Sequence, residues 1–218
     1  MDRPFLRRRI TFVAVLLLAA IPLIGCQSAL FTALWVLKGN DVDPDFKELK
    51  GKKVAVVCRP LVSLQYSNSN VGRELAKQIS LLLQEKVPKI KVIDQGKINK
   101  WADEHSWEEF TEVGKAMKAE MVVAVDLESF GLFQGQTLYE GKANATIHVF
   151  DMQKGGKEVF HKSIPQARYP ASGPMPASEK TPADFRVEFE AVLANQIARH
   201  FFAHDRYADI GPTSGNLE

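Results

Sequence analysis

The chain has 218 residues, of which 45% are hydrophobic and 25% are charged, and its formal net charge at pH 7 is +2. Its first 25 residues contain four arginines and one aspartate, so the remainder carries a formal charge of −1. A nearly neutral chain without a basic stripe gives no electrostatic reason to expect nucleic-acid binding, and its length suits one domain with a full core.

The amino-terminal segment has the three parts of an export signal. Four arginines precede an apolar run from Ile10 to Ile21, and Gly25 supplies a small residue where a signal peptidase would cut. As a helix the apolar run spans about 18 Å, which is short of the roughly 30 Å core of a bilayer. These features predict a secretory signal peptide over residues 1–25.

The end of this signal resembles the lipobox of bacterial lipoproteins, which stands here as Leu23-Ile24-Gly25-Cys26. The resemblance implies that Cys26 is the lipid attachment site, that its thiol is acylated, and that it becomes the first residue of the mature chain. The lipid would then anchor the protein to a membrane. Gln27 stands where aspartate resembles an inner-membrane retention signal, which implies an outer-membrane location facing the periplasm.

The residues after Cys26 leave a second interpretation open. Residues 26–50 would form a lipidated tether, and its apolar part, Ala29–Leu37, would lie on the membrane surface or pack on the domain. Alternatively, Ile10–Leu37 is one uncleaved anchor, kinked at Pro22. Under the lipoprotein interpretation Cys58 is the remaining thiol, so no intramolecular disulfide can form, and its place in an apolar run predicts a small buried side chain.

The first half of the domain predicts alternating strands and helices. The apolar run Lys52–Cys58 indicates a buried strand, and helical spacing of apolar residues from Val71 to Val87 indicates an amphipathic helix. A second strand, parallel to the first, is expected at Ile90–Asp94. Two further helices are expected, one at Ile98–His105 and one that Ser106 and Glu109 cap as a capping box and that runs to Lys118, burying Phe110, Val113 and Met117.

The second half predicts an antiparallel meander and a final helix. The expected strands are Met121–Phe130, Tyr139–Val149 and Glu158–Ile164, with a turn at Gly131–Gly135. Alternation along the middle strand indicates that one face of this meander meets water. An extended proline-rich loop is expected at Pro165–Pro182, a helix that covers the sheet at Ala183–His204, and a flexible tail at 206–218.

These elements predict a single α/β domain over residues 51–205, with two or three layers and a mixed sheet of about five strands in the order β-α-β-α-β-β-β-α. Three stretches of this domain resemble those of a known group of proteins, namely "GKKVAVVC", "VGRELAKQISLLLQEKVPKIKVID" and "EVGKAMKAEMVVAVDLESF". They resemble the small envelope domains shared by the lipoprotein activators of penicillin-binding proteins, the curli-secretion lipoprotein and the amino-terminal domain of the Tol-system propeller protein. The resemblance implies the fold and a cell-envelope location. It places no partner-binding residue, and the chain has no spare pair of lipid-facing strands for a curli-type pore.

Two groups of residues are candidates for chemistry. Asp126 and Glu128 lie on one side of a predicted strand and could form an acid and base pair. His200 and His204 are four residues apart in the predicted last helix, where they could share a face and bind a metal, with Asp205 beside them. The glutamate of a His-Glu-x-x-His site is absent, and no nucleophile elbow, phosphate loop or dinucleotide-binding glycine pattern occurs.

The sequence therefore predicts a membrane-tethered envelope lipoprotein that is a non-catalytic binding or assembly factor for another envelope protein. Its partner surface would be the water-facing side of the meander together with the proline-rich loop. No catalytic residue, cofactor or metal site is assigned, and no nucleic acid is expected. The alternative is an exported hydrolase or metal-binding enzyme that uses Asp126 and Glu128, or His200 and His204.

Overall fold

The computed structural model describes residues 41–61 and 70–205. The predicted signal segment, residues 26–40 of the predicted tether with Cys26, and the tail after residue 205 lie outside the described residues. Apart from Asp41 and Asp205, the described residues belong to one compact unit that runs from Val42 to His204. In this part of the chain no helix is long and apolar enough to cross a membrane.

The described residues form four α-helices and eight strands. The helices are α1 (Val71–Lys86), α2 (Gln95–Glu104), α3 (Phe110–Ala116) and α4 (Pro182–Ala198). The strands are β1 (Asp41–Val42), β2 (Lys53–Pro60), β3 (Lys91–Val92), β4 (Met121–Gln134), β5 (Leu138–Asp151), β6 (Lys157–Tyr169), β7 (Met175–Pro176) and β8 (His204–Asp205).

The main sheet is mixed, with the strand order β3-β2-β4-β5-β6, and β7 adds a short pairing to β5. Strand β2 runs parallel to both β3 and β4, whereas β4, β5 and β6 are antiparallel neighbours. The predicted α/β class and mixed sheet are therefore confirmed, as is the antiparallel meander. Strand β3 is shorter than predicted, because Asp94 already caps α2 by accepting a hydrogen bond from the Lys97 N–H at 3.1 Å.

Helices cover both faces of the sheet, which gives three layers. On one face, α1 and α4 pack against the sheet. The core between them includes Val54, Val123 and Ile147 from the sheet and Phe189 from α4. On the other face, the core contains Ala55 and Val122 with side chains from α2 and α3. Successive residues of β2 and β4 thus enter opposite cores, as expected for strands buried on both sides.

The third helix begins later than the sequence predicts. The capping box joins Glu109 and Glu112, not Ser106 and Glu109, and the Glu112 carboxylate accepts the Glu109 N–H at 2.9 Å. The helix ends at Ala116, so Met117 lies at its end and is half-buried. Residues 106–108, which the sequence places in the helix, are not helical. The carbonyl oxygen of Glu108 accepts a hydrogen bond from Arg59 Nη1 at 2.6 Å. The capping box satisfies N–H groups of the first turn, so the helix begins at Phe110.

All three meander strands are longer than predicted. Strand β4 continues through the expected turn to Gln134, and β6 continues through Pro165 to Tyr169. The prediction of one loop from Pro165 to Pro182 was wrong where the chain continues β6 to Tyr169 and where Met175–Pro176 form β7. Proline is tolerated in β6 because β6 is the last strand of the sheet. The register shifts beside Pro165, where Gln166 adopts φ of +53° and donates its N–H to Asn144 Oδ1 at 2.7 Å.

The last helix covers the sheet as predicted, although it ends early. Thr181 caps α4 by accepting the Asp184 N–H at 3.2 Å, and Phe185, Phe189, Leu193 and Ile197 are fully buried. The helix stops at Ala198, a 3₁₀ turn follows at Arg199–Phe201, and Phe202 is extended. The chain therefore does not continue as one helix to His204.

Candidate functional site

The second face of the sheet is only half covered by helices. Side chains of β2 and β4 pack under α2 and α3, but on β5 and β6 the same face carries polar groups that remain half-buried or exposed. We call this area the meander face. It consists of Arg59, Asp126, Glu128, Thr146, His148, Glu158 and His161. Its opposite side is the apolar core under α1 and α4.

An arginine and an aspartate on neighbouring strands anchor one end of the meander face. Arg59 and Asp126 are partners in the parallel register of β2 and β4. Arg59 Nε lies 2.9 Å from Asp126 Oδ1, and Arg59 Nη2 lies 3.3 Å from Asp126 Oδ2, so the ion pair is bidentate. The guanidinium also sits 4.3 Å from the centre of the Phe110 ring, where a cation interacts favourably with the aromatic face. Phe110 therefore links α3 to this end of the sheet.

The predicted pair of carboxylates does lie on one side of β4, but the two groups have different partners. Asp126 is held by Arg59, whereas Glu128 Oε1 accepts a hydrogen bond from Thr146 Oγ1 at 2.6 Å. A register shift between β4 and β5 falls between Leu127 and Ser129, at Glu128 itself. The structure thus brings each carboxylate to a separate hydrogen-bond partner and not to one shared reacting centre.

Two histidines and a glutamate form a cluster that the sequence interpretation did not include. His148 on β5 is directly opposite His161 on β6. Glu158 Oε1 lies 2.8 Å from His148 Nδ1 and 3.1 Å from His161 Nδ1. The two Nδ1 atoms are 3.3 Å apart. Hydrogen bonds from the two rings lower the pKa of the Glu158 carboxyl, with the contribution of His148 larger than that of His161.

A β-bulge explains how Glu158 and His161 reach the same face. Residues three apart on a regular strand point to opposite faces. Here Val149 pairs with Phe160 while Phe150 pairs with Glu158, so Val159 is an extra residue in β6. The bulge turns Glu158 toward His148. Only the alternation that places His148 on the water-facing side was visible in the sequence.

A shallow cleft of about 410 Å³ lies between α3 and the meander face. Arg59 and Asp126 line it on the sheet, Phe110 lines it on the helix, and His148 and Glu158 complete its wall. The cleft is open, and its polar side chains are already bonded to one another. Such a surface suits recognition of another molecule by contact.

The carboxyl-terminal histidines are not arranged as the metal interpretation requires. Because α4 ends at Ala198, His200 and His204 do not share a helix face. His200 Nδ1 lies 2.8 Å from Asp45 Oδ2, and His204 Nδ1 lies 3.2 Å from the carbonyl oxygen of Phe202. Burial lowers the pKa of His200, and the neighbouring Asp45 carboxylate opposes this only in part. The prediction of a histidine pair on one helix face was wrong.

The described cysteine is not suited to nucleophilic chemistry. Cys58 packs at the margin of the α1 and α4 core. Burial strongly raises the pKa of its thiol, and the negative charge of Asp126 adds to this effect. The thiolate, which is the reactive form, is therefore disfavoured. Cys26, the predicted lipid attachment site, lies outside the described residues, and its role stays a prediction.

No protein-family model and no curated protein match this chain. Solved structures that match this chain include the PelC dodecamer from Paraburkholderia phytofirmans, at 13% identity and a TM-score of 0.43, covering 74% of this chain and 96% of that one. Lipoprotein GNA1162 from Neisseria meningitidis is 12% identical, with a TM-score of 0.42, and 67% and 97% of the two chains are covered. The LpoB C-terminal domain from Salmonella enterica is 11% identical, with a TM-score of 0.36, covering 60% and 90%.

One of these structures is described as a lipoprotein. The identities and TM-scores are low, and nothing about activity, ligand or partner is carried from these proteins to this chain.

Proposed function

We propose that this protein is a lipid-anchored protein of the bacterial cell envelope that acts as a non-catalytic binding or assembly factor. The observation that carries the proposal is the meander face, a polar sheet surface that no described helix covers. In a small domain an uncovered sheet face of this kind is free to contact another protein. A partner would meet fixed charges there, because Arg59, Asp126 and Glu158 are already held by neighbouring side chains.

The same geometry favours binding over hydrolysis. A hydrolase of the acid and base type needs two carboxylates that converge on one reacting centre in a water-excluding pocket. Asp126 and Glu128 instead have separate partners, and the adjoining cleft is shallow and open. The proposed surface is therefore one for recognition, and we assign no catalytic residue to it.

The anchoring part of the proposal comes from the sequence. The basic segment, the short apolar run and Leu23-Ile24-Gly25-Cys26 occur in the order that lipoprotein export requires. We propose acylation of Cys26 and, because Gln27 follows it, an outer-membrane location facing the periplasm. The partner is an envelope protein.

The anchor is tested with a fatty-acid analogue in growing cells. Wild-type protein should incorporate the label, and Cys26→Ser should lose it and accumulate as precursor, since a hydroxyl does not replace the thiol. Cys58→Ser is the matched control and should keep the label. Equal labelling of wild type and Cys26→Ser would contradict the lipid anchor and favour the uncleaved one. Fractionation that finds the protein only in the inner membrane would contradict the outer-membrane location.

The binding surface is tested by site-specific photocrosslinking in cells. A crosslinking amino acid at Thr146, at the centre of the meander face, should capture one recurrent envelope protein. The control is Val187 on α4, which is 60% exposed but lies on the opposite side of the sheet. Capture from position 187 and not from position 146 would show that the partner surface lies elsewhere.

A further inference from the structure

The cluster at His148, Glu158 and His161 has the composition of a metal site. The three side chains each offer one donor atom, and these atoms all lie within 4.8 Å of one another. Among residues 41–61 and 70–205, no other group of three histidine, cysteine or carboxylate side chains is as close. Imidazole nitrogens and a carboxylate oxygen are ligands that Zn²⁺ and similar divalent transition ions prefer. The side chains are also reachable from solvent, with exposed fractions of 19%, 42% and 60% in chain order.

The distances within the cluster fit a shared cation. With bonds of about 2.0–2.1 Å to one ion, ligand atoms lie about 2.9 Å apart at right angles and about 3.3 Å apart at tetrahedral angles. The three observed separations are 2.8 Å, 3.1 Å and 3.3 Å. The three donor atoms therefore already form the triangle that would cap one side of such an ion.

Without a cation, the two hydrogen bonds from the rings to Glu158 are crowded. If both Nδ1 atoms donate to Glu158, their two N–H groups converge on one oxygen at a nitrogen separation of only 3.3 Å. A carboxylate oxygen accepts two donors more favourably when they approach from diverging directions. If one Nδ1 carries no proton, its lone pair faces a carboxylate, which is repulsive. A cation bound by all three atoms attracts each lone pair, and this attraction outweighs the repulsion between the neighbouring donor atoms.

A carboxylate and an aromatic ring lie next to one of the three side chains, His148. Asp126 Oδ2 lies 3.6 Å from Nε2 of His148, on the side of the ring away from Glu158. This separation is too long for a hydrogen bond, but a small movement of either side chain would let the carboxylate accept the outer N–H of a metal-bound His148, which would fix the ring and make its other nitrogen a better ligand. Asp126 is itself held by Arg59. The ring of His148 also stacks on Phe150, at an interplanar angle of 15°.

We propose that His148 Nδ1, Glu158 Oε1 and His161 Nδ1 bind one divalent transition-metal ion, with Zn²⁺ as the ion that the donor set fits. Three protein ligands leave a fourth position for water or for a donor atom of another molecule. That position lies on the meander face. The inference does not depend on the proposed lipid anchor or on the partner, because it rests only on these three side chains and their neighbours.

The site is tested by Zn²⁺ titration calorimetry on the full chain, purified in non-ionic detergent without a histidine tag and stripped with a chelator. We expect one Zn²⁺ per chain. His161→Ala and Glu158→Gln should each weaken binding more than about 100-fold, and Asp126→Asn should weaken it about 10-fold or more while the stoichiometry stays at one. Titration with Co²⁺ should give visible absorption bands that His161→Ala loses.

The controls are His105→Ala and His204→Ala, which remove histidines outside the cluster and should leave the affinity unchanged. His161 is exposed, so its replacement is not expected to unfold the protein, and thermal melts of each variant check this. No Zn²⁺ binding by the wild type would overturn the proposal. Binding that survives in both His161→Ala and Glu158→Gln, or that disappears in His204→Ala, would overturn it as well. If the wild-type protein carried no fatty-acid label, the lipid anchor would be contradicted but the metal proposal would not be affected.

Discussion

The packing of Phe189 against Gly141 gives a prediction with a defined magnitude. Phe189 on α4 is fully buried, and its ring stacks on Phe130 with the centroids 5.2 Å apart. Phe189→Ala removes this burial and leaves a cavity, which costs about 3–5 kcal/mol of unfolding free energy. At about 2–4 °C per kcal/mol for a protein of this size, the melting temperature should fall by about 6–20 °C.

A substitution at Gly141 tests whether the Phe189 ring packs there as described. A Cβ added at Gly141 would lie 2.5 Å from Cγ of Phe189, so Gly141→Ala should cost about 1–3 kcal/mol through overpacking. In the Phe189→Ala background the ring is absent and the added methyl group should cost almost nothing. The double-mutant cycle should therefore show a coupling of about 1–3 kcal/mol.

Urea unfolding of the full chain in detergent, followed by circular dichroism, measures all four proteins of the cycle. The reasoning would be refuted if Gly141→Ala cost as much without the ring as with it. A melting temperature of Phe189→Ala within about 2 °C of the wild type would show that α4 does not close the core.

Three further predictions concern other parts of the fold. Thr181→Ala should lose about 1 kcal/mol, because the Asp184 N–H loses the oxygen that caps α4, and Thr181→Ser should recover most of it in the same urea assay. Because burial lowers the pKa of His200, the unfolded chain binds more protons than the folded one below the ordinary value of 6.5, so wild-type stability should fall as the pH is lowered from 7.5 to 5.5. His200→Gln should show a smaller fall, and equal falls would contradict the assignment. A chain that begins at Asp45 retains Phe46 and Leu49, which are buried, and should be soluble and monodisperse by size-exclusion chromatography. Aggregation would mean that the segment before Asp45 completes the core.

Much of the fold could be predicted because its signals are local. The apolar spacing of Leu75, Ile79 and Leu83 predicts α1, and the alternation along β5 predicts which side of the meander is buried. The element boundaries that were predicted wrongly depend on contacts between residues that are far apart in the sequence. The residues before α3 are held by the hydrogen bond from Arg59 to the Glu108 carbonyl oxygen, and these two residues are 49 positions apart in the sequence.

The candidate site was predictable only in part. Asp126, Glu128 and His148 fall on water-facing positions of their strands, so their face could be predicted. Glu158 could not be placed, because the bulge at Val159 reverses the face on which it would otherwise lie. His200 and His204 were misplaced because their spacing has meaning only inside a helix, and the helix ends before both of them.

The last strand of the sheet has a consequence for aggregation. Among the described residues β6 ends the sheet, and an unpaired strand edge can template the addition of a strand from another chain. Here the edge is interrupted, since β6 carries register shifts near Val159 and near Pro165, and Pro165 has no N–H to donate. A second chain could form only short runs of backbone hydrogen bonds along it. The irregularities that shape the meander face thus also discourage the growth of intermolecular sheets.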